Sequence, residues 1–174
     1  KVREDKQGVL LSAGNAKGSE DAVYVFDPLC PACKAFHKRL GESRFASKMA
    51  YKLLLLPLDS ECNWMLKDSM HPGSCLLSKA MFCAGDKTGA MLDFIFENQE
   101  AMRMEGIGKK IDAIRARVLT RFPEVKECLD SPDTKMRLDK ALHWAVANSL
   151  PLLTPQLYLN GKRLCDEDTD LGLD

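Results

Sequence analysis

The sequence predicts an α/β fold, and three observations lead there. Two short apolar runs, "AVYVF" at residues 22–26 and "YKLLLLPL" at 51–58, have strand length and strand composition. Between them, "PACKAFHKRLGES" (31–43) carries apolar residues at helical spacing, so the three segments make a βαβ unit. Near the end of the chain, Asn160 and Gly161 separate two strand-like runs, and both residue types tolerate the positive φ of a tight hairpin turn.

Taken in order, the chain opens on polar residues around one apolar run at 9–11, read as a short strand followed by a Gly-rich loop. "AVYVF" follows, closed by the turn pair Asp27 and Pro28. Pro31 suits the first turn of the next helix, where a missing N–H costs nothing, and Ala32, Ala35, Phe36 and Leu40 give that helix its apolar stripe. The run at 51–58 is continuously apolar, as in a sheet covered on both faces. From about 72 to 147 the pattern is helical, punctuated by Gly and Pro, and "SPDTKMRLDKALHWAVANS" (131–149) is its clearest helix. Strands at 156–159 and 162–165 form the hairpin, and the tail has the composition to begin a final helix.

At 174 residues the chain is read as one domain, 1–174, with a helical insertion at about 60–130. Charges balance, 25 basic against 25 acidic, which gives no electrostatic footprint for nucleic acid or for an anionic membrane surface. The longest apolar runs fall far short of a bilayer span. The first residue is Lys1 and no signal peptide is visible, so the expectation is a mature or trimmed fragment. Seven cysteines are dense for a cytosolic protein and favour an oxidising compartment, and the odd count leaves one thiol free or paired outside the chain.

Cys30 and Cys33 are separated by Pro31 and Ala32 at a strand-to-helix junction. A thiolate, not a thiol, attacks a disulfide, so a redox pair must stabilise the anion on one sulfur. Cys30, immediately before the helix, meets unpaired backbone N–H groups and the positive end of the dipole. It is therefore the expected attacking sulfur, with Cys33, one turn on, as the resolving one. Two other readings of the pair stand beside this one. It could be a plain structural disulfide, or a metal site completed by His37 and His71, although no second closely spaced cysteine pair supports the latter. Thr154 and Pro155 precede the hairpin, where proline is either an edge device or a cis peptide that exposes backbone to an extended substrate.

Together, "YVFDPLCPAC" and "TPQLYLNGK" resemble the active-site strand and the cis-proline strand of the thioredoxin-like disulfide oxidoreductases of the bacterial Dsb type. The resemblance spans residues 21–165 and implies a thioredoxin-like fold with a helical insertion between the central βαβ unit and the C-terminal hairpin. It also implies that Cys30 is nucleophilic, that Cys33 resolves, and that Thr154 and Pro155 face them and bind substrate. The stretch "SECNWMLKDSMHPGSCLLSKAMFCAG" (60–85) further resembles the thioredoxin-like domain fused to bacterial vitamin K epoxide reductase homologues. Three departures qualify these expectations. Tyr24 stands where many thioredoxins bury an acid, so proton transfer at Cys33 needs another group or water, and Asp27 sits nearer but in the turn. Ala32 stands where the strongly oxidising members have histidine, so a less extreme Cys30 thiolate is expected. Only about twenty residues precede the fold, which argues against the dimer that the isomerases build with an added N-terminal domain.

Cys62, Cys75, Cys83 and Cys128 fall within the insertion, between the second long strand and the last long helix. Four cysteines allow three connectivities. The preferred one pairs Cys62 with Cys75 and Cys83 with Cys128, because the first link would staple "NWMLKDSMHPGS", a loop with little regular pattern; buried free thiols are the alternative. Cys165 is left over. Trp64, Met65, Met70 and Met81 are read as core in preference to a substrate surface. The expected function is thiol-disulfide exchange outside the cytoplasm, in the periplasm or its equivalent. It would oxidise cysteines of protein substrates without a cofactor or metal and be reset by a membrane redox partner, vitamin K epoxide reductase-like and carried on the same chain or apart. The alternative is a binding or chaperone module with a structural Cys30/Cys33 bond.

Overall fold

The computed structural model describes residues 2–14, 18, 20–43 and 48–164. Its strands are β1 (Leu11–Gly14), β2 (Glu20–Phe26), β3 (Met49–Leu55), β4 (Gln156–Leu159) and β5 (Lys162–Arg163). Helix α1 (Pro31–Glu42) joins β2 to β3. Between β3 and the long α7 (Pro132–Ala147) come α2 (Ser74–Cys83), α3 (Thr88–Glu97), α4 (Gln99–Ile107), α5 (Ile111–Arg121) and the single turn α6 (Lys126–Leu129). The expected α/β order with a helical block before the hairpin is what the chain adopts.

The sheet runs β1-β3-β2-β4-β5. β2 is parallel to β3, as a helical crossover requires, and antiparallel to β4; β1 and β5 pair antiparallel at the edges. Residues 22–26 are buried on both faces of β2, which explains why that run lacks polar alternation. The Asn160 and Gly161 turn has φ of 49° and 79°, the positive values that tight hairpins demand.

Two boundaries differ from the sequence reading. The first strand begins at Leu11, not at residue 9. Asp5 explains the shift: its carboxylate accepts the N–H groups of Gln7, Val9 and Leu10 at 3.1, 3.1 and 2.9 Å, holding that segment as a turn. The run at 51–58 leaves the sheet after Leu55, because Pro57 has no N–H to continue the ladder. The chain bends there but stays buried, and Leu58 donates its N–H to Asp27 Oδ2 at 2.6 Å.

Helix α2 is buried on nearly every side, including its polar Ser74 and Ser78. An all-round buried helix lies inside the molecule, and this one delivers Ser74 to the end of β2. The loop before it is tied down by the Cys62–Cys75 disulfide and by Asp59, whose carboxylate accepts from Ser69 Oγ, Gly73 N and Cys75 N at 2.9, 3.0 and 3.1 Å. Gly106 of α4 packs against the same loop: a Cβ there would stand 1.9 Å from the Pro72 carbonyl oxygen, so only glycine permits the approach. A second disulfide joins Cys83 at the end of α2 to Cys128 in α6. By loop-closure entropy, removing Cys83 and Cys128 together is expected to cost about 4 kcal/mol, and removing Cys62 and Cys75 about 3 kcal/mol. Urea unfolding of the double serine variants checks both, and equal costs would show that loop length does not govern them.

Of the residues read as core, Met81 is fully buried, but Trp64 and Met70 are 51% and 66% exposed. Trp64 belongs to the stapled loop and lays its ring on His143 of α7, centroids 4.4 Å apart, instead of entering the core. Cys165 and the tail lie outside the described residues. Among the described residues, no helix is long and apolar enough to cross a membrane.

Candidate active site

Asp27 follows the last residue of β2, and the chain turns there because the Cys30 N–H bonds back to the Asp27 carbonyl at 3.1 Å. The Asp27 side chain tightens the turn by accepting the Leu29 N–H at 2.7 Å. Cys30 follows as the N-cap of α1, with extended backbone (φ −78°, ψ 116°) and Pro31 in the first turn. Its sulfur accepts the Cys33 N–H at 3.2 Å, taking the place of the capping oxygen that usually satisfies this donor. Cys30 and Cys33 are both thiols, and both are buried.

The two sulfurs titrate in opposite directions. Interaction with the Cys33 side chain comes first among the causes that bring Cys30 down from 9.0 to about 6, against the opposing effect of burial. The Thr154 side chain and the Cys33 N–H favour the thiolate further, while the charge of Asp27 works against it. Cys33 is pushed far up, by burial and then by its interaction with Cys30. One negative charge is thus held by the pair, and it sits on the outer sulfur.

The Thr154-Pro155 peptide bond is cis and faces this sulfur: Cys30 Sγ lies 3.7 Å from the Thr154 carbonyl oxygen. The Thr154 hydroxyl is buried with no hydrogen-bond partner of its own. A groove of ≈ 460 Å³ runs alongside, lined by Ala32, Phe36, Leu153, Pro155 and Leu157, with the guanidinium-bearing Arg39 and Arg163. Its lining combines apolar side chains with the two arginines.

Tyr24 holds the floor. Its hydroxyl donates to the Cys33 carbonyl at 2.9 Å, and its ring packs on Phe26 and Phe36 with centroids 5.2 Å away. Burial, and after it the neighbouring Cys33, keeps this phenol protonated. The residue standing at the position of the expected acid is therefore a donor to the helix's first turn.

The helical block supplies contacts that the motif does not announce. Gln99 Nε2 of α4 donates to the carbonyls of Pro28 and Cys30, both at 2.9 Å, and so pins the turn that carries the Cys30 sulfur. Asp27 is completely buried and, besides the Leu29 and Leu58 amides, accepts from Ser74 Oγ at 2.7 Å. His71 Nδ1 stands 3.0 Å from Asp27 Oδ2. These partners are 44 to 71 residues away in sequence, and no local pattern marks them. His37 is half-buried against Phe96 and 3.7 Å from Asp93. Neither histidine joins the two cysteines in a metal-ligating cluster among the described residues; the grouping with that spacing is Asp59, Glu61 and Cys75, and the Cys75 sulfur is already bonded to Cys62.

No protein-family model and no curated protein sequence matches the chain. Solved structures do. BdbD from Bacillus subtilis, in its oxidised form, superimposes with a TM-score of 0.63 at 19% identity, covering 93% of this chain and 89% of that one. A thioredoxin-like oxidoreductase from Silicibacter pomeroyi gives 0.59 at 14% identity, over 91% and 84%. The alpha-DsbA1 protein of Wolbachia pipientis gives 0.65 at 12% identity, over 91% and 76%. The fold is thioredoxin-like. At these identities the likeness establishes the architecture, and the chemistry has to be argued from the residues of this chain.

Proposed function

We propose that the chain is a protein thiol-disulfide oxidoreductase whose redox centre is the Cys30/Cys33 pair. The observation that carries this is the asymmetric setting of the two sulfurs: Cys30 caps α1, accepts the Cys33 N–H at 3.2 Å and stands 3.7 Å from the carbonyl of the cis Thr154-Pro155 peptide, which favours its thiolate, while burial pushes Cys33 up. A structural disulfide needs no such asymmetry, whereas exchange chemistry does. The Dsb-type proteins that share the fold add support.

In the oxidising direction a substrate thiolate attacks Cys30 of the Cys30/Cys33 disulfide, forming a mixed disulfide and releasing Cys33, which takes a proton. A second substrate thiolate then attacks the substrate sulfur of the mixed disulfide and expels Cys30 as a thiolate. The substrate has lost two electrons and two protons, and the pair has gained the electrons. Thr154 and Pro155 border the groove along which the substrate backbone lies. Resetting the pair needs an oxidant. A membrane redox protein of the vitamin K epoxide reductase type, on the same polypeptide or apart, would supply it, as the resemblance of residues 60–85 implies. The compartment is extracytoplasmic, where two further disulfides such as Cys62–Cys75 and Cys83–Cys128 persist.

Equilibration against glutathione, read by alkylation and mass spectrometry, tests the proposal. A potential between about −120 and −200 mV is expected for an oxidase or isomerase, and one near −270 mV would make the protein a reductase. A bond that stays closed below about −300 mV would mark it as structural and end the proposal.

A further inference from the structure

Asp27 poses an electrostatic problem for the redox centre. Its carboxylate is fully buried one turn before Cys30, and its charge opposes the thiolate. The motif offers nothing to counter it, since Pro31 and Ala32 carry no charge. The histidine of the stapled loop stands where a counter-charge is needed: His71 Nδ1 lies 3.0 Å from Asp27 Oδ2.

We propose that His71 is a positioning residue for the redox pair, its imidazolium cancelling the buried Asp27 charge beside Cys30 and so stabilising the Cys30 thiolate. The inference rests on the thiol-disulfide reading above. It gives the Cys62–Cys75 loop a task, namely holding a cation against the active-site turn from outside the CxxC motif.

The geometry around the imidazole fits that task. The backbone N–H of His71 donates to the Leu58 carbonyl at 2.9 Å, next to the amide that Leu58 gives Asp27, and so fixes where the ring stands. The side chain is only 14% exposed. The charged and titratable groups that act on the ring are Asp27 at the end of β2, Cys30 at the start of α1 and Arg103 on α4. Asp59, nearby on the same loop, is taken up by Ser69, Gly73 and Cys75. Burial lowers the His71 pKa and Arg103 opposes the charged form, but Asp27 and Cys30 outweigh both and leave it above 6.5. A histidine raised in the folded state stabilises that state fully below its unfolded pKa, and the gain disappears as pH climbs through the folded value. Above that value Asp27 is uncompensated and the thiolate loses its support.

Alkylation of Cys30 by iodoacetamide, in full-length protein under mild reduction, tests this from about pH 4 to about 9, the span of the His and Cys ranges. The wild type is expected to show two inflections, one from Cys30 and one from His71. His71→Asn keeps a nitrogen near Asp27 without a titratable charge. In it the Cys30 midpoint should rise by about one pH unit, the second inflection should vanish, and the glutathione equilibrium should move about tenfold toward the disulfide, roughly 30 mV. His71→Lys should restore the low midpoint without the second inflection. A His71→Asn profile that superimposes on the wild type would overturn the proposal. So would a His71→Lys variant that loses as much as His71→Asn, because packing rather than charge would then be the cause. If the wild-type pair fails to exchange with glutathione, the oxidoreductase reading falls, while the alkylation profiles still decide whether His71 supports the thiolate.

Discussion

Cys30→Ser is expected to abolish disulfide exchange while leaving the fold in place. The two halves of that statement have separate physical grounds. Exchange needs a sulfur that can attack and be attacked, and a serine hydroxyl does neither. The fold survives because Cys30 is an N-cap whose sulfur accepts the Cys33 N–H, and serine is among the best residues for that role. Cys33→Ala should behave differently when offered a test protein that already carries a disulfide: the Cys30 thiolate attacks it, expels one substrate thiolate and forms a mixed disulfide, but nothing within the protein resolves it. An adduct with substrate should accumulate on a non-reducing gel and disappear with dithiothreitol. The measurements are the rate at which a reduced test protein regains its disulfides for Cys30→Ser, and the gel on the disulfide-bonded test protein for Cys33→Ala. Residual turnover in Cys30→Ser would move the chemistry to another sulfur. The pH dependence has a definite sign. Lowered to about 6, Cys30 favours the folded dithiol form most at high pH, and that contribution fades as pH falls through about 6. Alkylation and exchange should slow together below that point.

The parts of this site that the sequence made legible are those governed by local rules. A CxxC between a β-branched strand and a Pro-led helix places Cys30 at a helix N-terminus, and a proline before an Asn-Gly hairpin marks the second wall. What stayed hidden depends on long-range packing. Asp27 read as a turn residue, which it is, but nothing local says that its carboxylate would be sealed under α2 and the loop before it. Gln99 lies in an ordinary helical stretch, and only the fold brings its amide to the Pro28 and Cys30 carbonyls. The exposure of Trp64 was misread for a related reason: a large aromatic residue in a loop held by a disulfide and by Asp59 need not enter the core to be held in place. The start of the first strand was missed because a single carboxylate, Asp5, outcompetes the sheet for the nearby amides.

Asp27→Ala should produce the largest loss of stability among single changes near the site. The carboxylate accepts the Leu29 and Leu58 amides and the Ser74 hydroxyl at 2.7, 2.6 and 2.7 Å, all out of contact with water. Truncation leaves three buried donors without an acceptor, at about 1–3 kcal/mol each. A loss of roughly 5 kcal/mol is a large share of a small protein's total stability. Asp27→Asn retains one acceptor oxygen and should fall between the alanine variant and the wild type in urea unfolding. The same substitution removes the charge that opposes the Cys30 thiolate. In whatever fraction of Asp27→Asn remains folded, Cys30 should therefore react at lower pH than in the wild type, and the reaction should depend less on His71, which then acts on Cys30 only directly. Destabilised protein with a more acidic Cys30 is a combination that simple damage to the site does not produce, since loosening the N-cap alone would make the thiolate less stable. If stability falls and Cys30 becomes less acidic, Asp27 acts only as a brace for the turn. If both move as expected, the carboxylate holds the turn at an electrostatic cost to the nucleophile, and the charge on His71 offsets that cost.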